Sequence, residues 1–379
     1  MSEAAADNPI AAMTLDFGAF LETRRQELAA HTAPGGVADY AFGLDHVLRQ
    51  RIAAIAPARH LVRMLGATAG PIQKHIHRME MIAVGPRQFP EIHALGESCA
   101  RRLGIGIPQI FIAPTHELAA YTFATDDIAP IAVLSAGLID ALEPNQLLFV
   151  IGHECGHIHN LHGAYNTAVQ NLTNPLAKTI LDKVVGLGIT MDLVTSVSHV
   201  RLLAGAVTGA LKMFFLNWSR AAEVTCDRAA LICCGSIETA ERALASLATG
   251  GMASLRGINI DAYLDQLDQI RSSPLRFLEL GGTHPLIPKR IEALRAFADC
   301  DLLYGWRPDV VRPSALQTKA DTDSRCARIL GILSAGGRSG AAGEPGSGAP
   351  QARPPDRSGA LGAPRETASG SPRGEAPRI

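Results

Sequence analysis

The stretch FVIGHECGHIHNLHG, residues 149–163, holds four histidines, at 153, 157, 159 and 162, and a single carboxylate, Glu154. Just before it, Pro144 suits the first turn of a helix. Leu147, Leu148, Val150 and Ile151 supply an apolar face, so the spacing predicts a buried helix over 146–160. Residues four apart on a helix lie about 40° apart around its axis. His153 and His157 therefore project from one face and can share a metal ion, with Glu154 beside it. His159 and His162 lie about 200° and about 140° around from His157. They are expected only to mark the helix end near Gly163, as exposed or capping residues.

Two neutral imidazoles favour zinc, which takes a third protein ligand and, in a catalytic site, leaves its fourth position to water. With His159 and His162 on other faces, that ligand must come from elsewhere in the chain. Residues 217–231, NWSRAAEVTCDRAAL, are the best candidate: a helical run with Glu223 and Asp227 four apart among alanines and apolar residues. Two carboxylates on such a face require partners. Either a metal takes Glu223 and an imidazole N–H takes Asp227, or the pair meets Arg220 and Arg228 in a structural cluster.

Outside these segments, Phe20–Leu28, Ala41–Ile55 and Glu91–Leu103 read as helices. Residues 79–83, 109–113, 121–125 and 131–135 read as short strands of a small sheet. The expected fold class is α+β, predominantly helical. From Gly336 onward the chain turns to Gly, Pro, Ala, Ser and Arg with few large apolar residues, which predicts a disordered tail. The expected organisation is a helical accessory segment over 1–75, the main domain over 76–335 and the tail over 336–379.

The 379 residues carry 35 basic and 36 acidic side chains, so no overall field favours nucleic acid. The seven scattered cysteines do not resemble a secreted disulfide framework, and the acidic N-terminus does not resemble a signal peptide. A cytoplasmic location is expected, or a peripheral one at the inner face of a membrane. The apolar stretch 184–216 has no charge-free run longer than Leu202–Leu211, well short of the ~20 residues that span a bilayer. A buried helical hairpin is expected there. The alternative is contact with a membrane surface through Gly205, Gly209, Phe214, Phe215 and Trp218. Nothing in the pattern sets an oligomeric state.

The three elements HECGH (153–157), SRAAEVTCD (219–227) and Thr283-His284-Pro285 with Arg290 resemble, in that order, the motifs of the M48 family of zinc metallopeptidases. The likeness runs from about Arg78 to Leu294 and looks nearest to the soluble or peripheral bacterial and plastid branch of that family. It implies a gluzincin-type domain holding one Zn2+ through His153, His157 and Glu223, with Glu154 as general base. It further implies that Asp227 orients a zinc-bound histidine, that His284 stabilises the oxyanion and that Arg290 supports the site. The partners would be protein or peptide substrates, cleaved as an endopeptidase cleaves them. An extended substrate would lie along Tyr121, Thr122 and Phe123, where Ala119-Ala120 replaces the Asn-Ala usual in the family. The competing expectation is a catalytically silent zinc protein that acts as a scaffold or chaperone through 184–216.

Overall fold

The structure, a computed structural model, describes residues 32–33, 37–55, 80–125, 128–163, 165–166, 169, 198–255, 257–272 and 282–331. All belong to one compact unit, Met1–Ala335. The expectations for residues 20–28, 184–197 and the tail from 336 lie outside the described residues.

In chain order the elements are β1 (Thr32–Ala33), β2 (Val37–Ala38), α1 (Gly43–Ala54), β3 (Ile82–Ala83), α2 (Pro90–Leu103), β4 (Gln109–Ala113), β5 (Ala120–Thr125) and β6 (Ile128–Ser135). They continue as α3 (Ala136–Ala141), α4 (Pro144–His159), α5 (Ser198–Cys234), α6 (Ile237–Ala248), α7 (Ile260–Ser272), α8 (Ile287–Ala298), α9 (Asp301–Trp306) and α10 (Lys319–Leu330). The result is a predominantly helical α+β fold with a four-stranded mixed sheet in the order β3-β4-β6-β5. Strands β4 and β6 run parallel, and β5 pairs antiparallel to β6 as an edge strand.

Period-two alternation divides the sheet. Ile110, Ile112, Ala132 and Leu134 face the main core with α2 and α4, whereas Phe111, Ala113, Ile131 and Val133 gather on the other face with Met81 and Tyr121.

Helix α4 starts at Pro144 behind a capping box in which Glu143 and Gln146 bond each other's backbone N–H groups, so its first turn is satisfied locally. It then packs along α5. Gly152 and Gly156 make that crossing close. A Cβ on Gly156 would stand 2.9 Å from both Ala229 Cβ and Cys226 Cα, and one on Gly152 would stand 2.7 Å from Cys233 Cβ. Small residues on α5 meet the glycines along a helical stripe at 226, 229, 230 and 233.

Helix α5 joins what the sequence divides: residues 198–216 and 217–231 form one continuous helix. Of the three aromatic residues expected to suit an interface, Phe214 is exposed, but Phe215 and Trp218 are buried. Among the described residues no helix is long and apolar enough to cross a membrane. The described part of the N-terminal segment is woven into the same cores: Tyr40 joins the main one, and Phe42, Leu48 and Ile52 pack with Phe215, Trp218 and Ala222.

The end of α4 departs from expectation. The helix stops at His159, and the left-handed residue is Leu161 (φ 59°), not Gly163. The His162 N–H reaches back 3.0 Å to the His157 carbonyl, so the chain folds over its last turn.

Two stability measurements check these local readings. Intrinsic propensity alone makes Gly156→Ala stabilising by ~1 kcal/mol. The close crossing predicts the opposite sign, a loss of about 1–3 kcal/mol in denaturant unfolding. Gly257, with nothing near its missing Cβ, serves as the control position. Leu161 is mostly exposed and sits in a left-handed turn, so Leu161→Gly is expected to raise stability by about 0.5–1 kcal/mol.

Candidate metal centre

The crossing of α4 and α5 sets His153 and His157 opposite Glu223 and Asp227, all four buried. His153 Nε2 lies 3.5 Å from Glu223 Oε2, and His157 Nε2 lies 3.6 Å from Glu223 Oε1. These atoms and Glu154 line a cleft of about 370 Å3, together with Thr122, His284 and Arg290.

The other imidazole nitrogens face away from the cleft. His153 Nδ1 is 2.9 Å from Asp227 Oδ1. Burial works against ionising Asp227, but Arg290 and His153 outweigh it and hold the carboxyl below its usual range. An ionised carboxylate only accepts hydrogen bonds, so His153 Nδ1 is the donor. Arg290 grips Asp227 with Nε at 2.8 Å and Nη2 at 2.6 Å, and its Nη1 lies 3.4 Å from Glu223 Oε2. The alternative cluster does not form around Arg228, which bonds Asp323 and the Tyr40 carbonyl and lies over the rings of Phe42 and Phe297. Arg220 donates to Asn217.

Glu223 is also ionised. Burial opposes this, yet His284, His153 and Arg290 push its carboxyl well below the ordinary value. Its Oε2 is buried without a hydrogen-bond partner. A carboxylate so placed, with one imidazole nitrogen 3.5 Å from Oε2 and the other 3.6 Å from Oε1, fits a shared cation: ligands ~2.0–2.1 Å from a tetrahedral ion stand roughly 3.3 Å apart. In the absence of metal a proton on His153 can meet the same need. Although burial lowers its pKa, Glu223 and Asp227 raise it above the usual imidazole value.

A second set of three donors also exists. Cys226 Sγ and one nitrogen each of His153 and His157 lie within 4.8 Å of one another. Burial foremost, then the carboxylates around it, drives the Cys226 thiol well above its ordinary pKa. Its sulfur lies 3.5 Å from His162 Nδ1, and the residue does not line the cleft. All seven cysteines are free thiols.

Glu154 is buried beside the two histidines, and Thr122 Oγ1 donates to its Oε2 at 2.6 Å. Of the three residues expected along the substrate strand, Tyr121 and Thr122 reach the cleft wall, whereas Phe123 is buried and absent from it. Alternation along β5 points the Thr122 side chain at α4 and that of Tyr121 to the opposite face of the sheet. Among the described residues β5 ends the strand order, and Thr122 has an added contact with Glu154. Thr283-His284-Pro285 precedes α8 at the rim, where His284 is exposed with Nε2 3.6 Å from Glu223 Oε1.

His159 and His162 are not exposed. His159 Nδ1 meets the Tyr40 hydroxyl at 2.8 Å. His162 is fully buried, with Nδ1 3.1 Å from His157 Nδ1 and Nε2 3.0 Å from Asp45 Oδ2. Burial is the main cause that lowers the His162 pKa, against the pull of Asp45. The Asp45 carboxyl falls to about 2 despite its burial, chiefly because of His162, with help from Arg49 and Thr225. The helical expectation placed His162 on another face because it carried the helix past 159, where the chain in fact turns back. Asp45 left one trace in the sequence. It shares a buried stripe with Leu48 and Ile52, and a carboxylate on such a stripe demands a partner.

Comparison with known proteins gives this arrangement a context. Residues 86–298, more than half of the chain, match the sequence profile of Peptidase family M48. A plastoglobule-localized metallopeptidase 48 of Arabidopsis thaliana chloroplasts is 29% identical over 216 residues, 55% of this chain and 57% of that protein. A protease HtpX homolog of Pyrococcus abyssi is 29% identical over 225 residues, 57% of this chain and 76% of that protein. Protease HtpX of Hydrogenovibrio crunogenus is 30% identical over 213 residues, 52% and 66% of the two chains. The chain thus spans little more than half the length of the plant relative. No solved structure matches it significantly. The profile match, with an HExxH helix set against a Glu-bearing one, places this chain in peptidase family M48, a family of metallopeptidases.

Proposed function

We propose that the protein is a zinc-dependent endopeptidase, with His153, His157 and Glu223 as metal ligands and Glu154 as general base. The observation that carries this reading is the convergence of two imidazole Nε2 atoms on the buried Glu223 carboxylate, at the wall of a cleft that Glu154 shares. Glu223 is preferred to Cys226 as third ligand because its neighbours hold its carboxyl well below the ordinary pKa while burial drives the Cys226 thiol up, and because Glu223 lines the cleft and Cys226 does not. Zinc bound there supplies a Lewis acid for a scissile carbonyl and acidifies the attacking water.

The chain's own groups do the rest. Glu154 accepts the proton of the attacking water and passes it to the leaving amine. Thr122 occupies Glu154 Oε2 and leaves Oε1 for that proton. His284, exposed at the rim, donates to the oxyanion of the substrate. Among the described residues β5 is the last strand of the sheet, and a terminal strand is where an extended peptide can add by backbone pairing, which recommends a peptide over a non-peptide amide as substrate. Arg290 keeps Asp227 ionised, and Asp227 keeps the His153 lone pair on the cleft side.

In Glu154→Gln, zinc content is expected to match wild type, while cleavage of an unfolded protein falls at least ~100-fold. A wild type that binds zinc yet cleaves nothing would instead favour the silent scaffold. Thr122→Val keeps the shape of the side chain and deletes its hydroxyl. It is expected to lower kcat roughly ten- to a hundredfold with zinc content unchanged, and an unaltered kcat would remove Thr122 from the machinery.

A further inference from the structure

We propose that Asp45, acting through His162, is a positioning residue that fixes the metal-binding tautomer of His157. The proposal rests on the reading that His153, His157 and Glu223 hold the metal.

The chain of hydrogen bonds has one consistent direction. Asp45 Oδ1 accepts from Trp218 Nε1 at 2.8 Å, and Oδ2 accepts from Thr225 Oγ1 at 2.8 Å. His162 Nε2, 3.0 Å from the same Oδ2, must therefore be the donor, because a carboxylate offers no proton. In a neutral imidazole the other nitrogen, Nδ1, then carries a lone pair. His157 Nδ1, 3.1 Å away, is the nearer and stronger donor to it, ahead of the weak Cys226 thiol at 3.5 Å, and its donation leaves the lone pair of His157 on Nε2, the atom that faces Glu223. Asn166 Nδ2 is placed 3.2 Å from the same His157 Nδ1, and with that nitrogen protonated the amide turns its oxygen to it instead, since the two ends of the amide are interchangeable by a flip. Each metal-facing histidine thus ends in a buried carboxylate: His153 directly in Asp227, and His157 in Asp45 by way of a second imidazole.

The surrounding structure holds this relay in place. The left-handed turn at Leu161 brings His162 back over His157. Helix α1 carries Asp45 and grips the same turn a second time, through Arg49 on the Asn160 carbonyl. The Asn160 amide donates to the Tyr40 hydroxyl at 3.0 Å and to the Gly156 carbonyl at 2.9 Å. The N-terminal segment, read from sequence as an accessory, therefore supplies a polar group two hydrogen bonds behind a metal ligand.

Trp218 gives the test its sharpness. Its indole N–H can only donate, so in Asp45→Asn the amide must turn its oxygen to Trp218 and its NH2 toward His162. That reverses the relay and places a proton on His157 Nε2. The full chain is loaded with Zn2+ and its affinity read by chelator competition. Asp45→Asn is expected to weaken binding ~10–100-fold. The double variant Asp45→Asn/Trp218→Phe frees the amide to turn and is expected to recover part of that loss, although it removes another buried contact. In the wild-type zinc protein, imidazole nitrogen NMR is expected to find His162 protonated on Nε2 and His157 on Nδ1, a reading independent of any variant's folding.

Unchanged zinc affinity in Asp45→Asn overturns the proposal. So does a double variant weaker than the single one, which marks the loss as structural, or His162 protonated on Nδ1. If wild type binds no Zn2+, or Glu223→Gln binds it as well as wild type, the metal-site reading falls and takes this proposal with it. A wild type that needs Glu223 but ignores Asp45 sinks the proposal alone.

Discussion

The site depends on how closely α4 can approach α5. Each helix carries half of the centre, the imidazoles on one and the carboxylates on the other, and neither half is stable alone in an apolar interior. With side chains at 152 and 156 the axes would be forced apart, and the 3.5–3.6 Å approaches between His153, His157 and Glu223 would open. The two glycines are therefore as much part of the centre as its charged residues. They weaken the helix locally, and α4 remains helical because apolar burial on both sides compensates.

The close contact buries several charges, and their compensation follows one pattern. Asp227 has Arg290, Asp45 has the Trp218 and Thr225 donors with His162, and Arg228 has Asp323 and two aromatic faces. Buried pairs of this kind add little net stability over apolar packing, but breaking one leaves a stranded charge at a cost of several kcal/mol. What they provide is direction. The Asp227 and Asp45 carboxylates fix which nitrogen of His153 and of His162 donates and which holds its lone pair, a choice that the proposed metal site needs made before the ion arrives. Glu223 differs: Arg290 and His153 stand 3.4 Å and 3.5 Å from its Oε2, but that buried oxygen accepts no hydrogen bond, and the residue lines the cleft.

The sequence displays this arrangement unevenly. His153, Glu154 and His157 are legible because one helix carries them at a spacing with direct geometric meaning, and Glu223 with Asp227 because two carboxylates on an alanine-rich face demand an explanation. Strands β4 and β6 are legible from their apolar runs. His162 was misplaced, since its position depends on a left-handed leucine that no residue preference announces. Asp45 meets His162 across 117 residues, and Thr122 meets Glu154 across 32. Local pattern carries no information on such pairings. At most it flags a polar residue on a buried stripe, as at Asp45, or between two aromatic residues, as at Thr122.

Thr122 links two demands on β5 that would otherwise be independent. On the proposed function this strand has to accept a peptide as the last strand of the sheet among the described residues, yet a terminal strand is the least restrained part of a sheet. The Thr122 hydroxyl ties the middle of that strand to the Glu154 carboxylate at 2.6 Å and to the Glu154 carbonyl at 3.2 Å. On the proposed function, the platform for the substrate and the base that serves it would therefore be held in one register, and a peptide paired with β5 would be placed relative to Glu154 by a contact already present before it binds. On this account the replacement of the family's Asn by Ala119 removes one side-chain contact to a substrate but leaves the registration of the scissile bond to the strand itself.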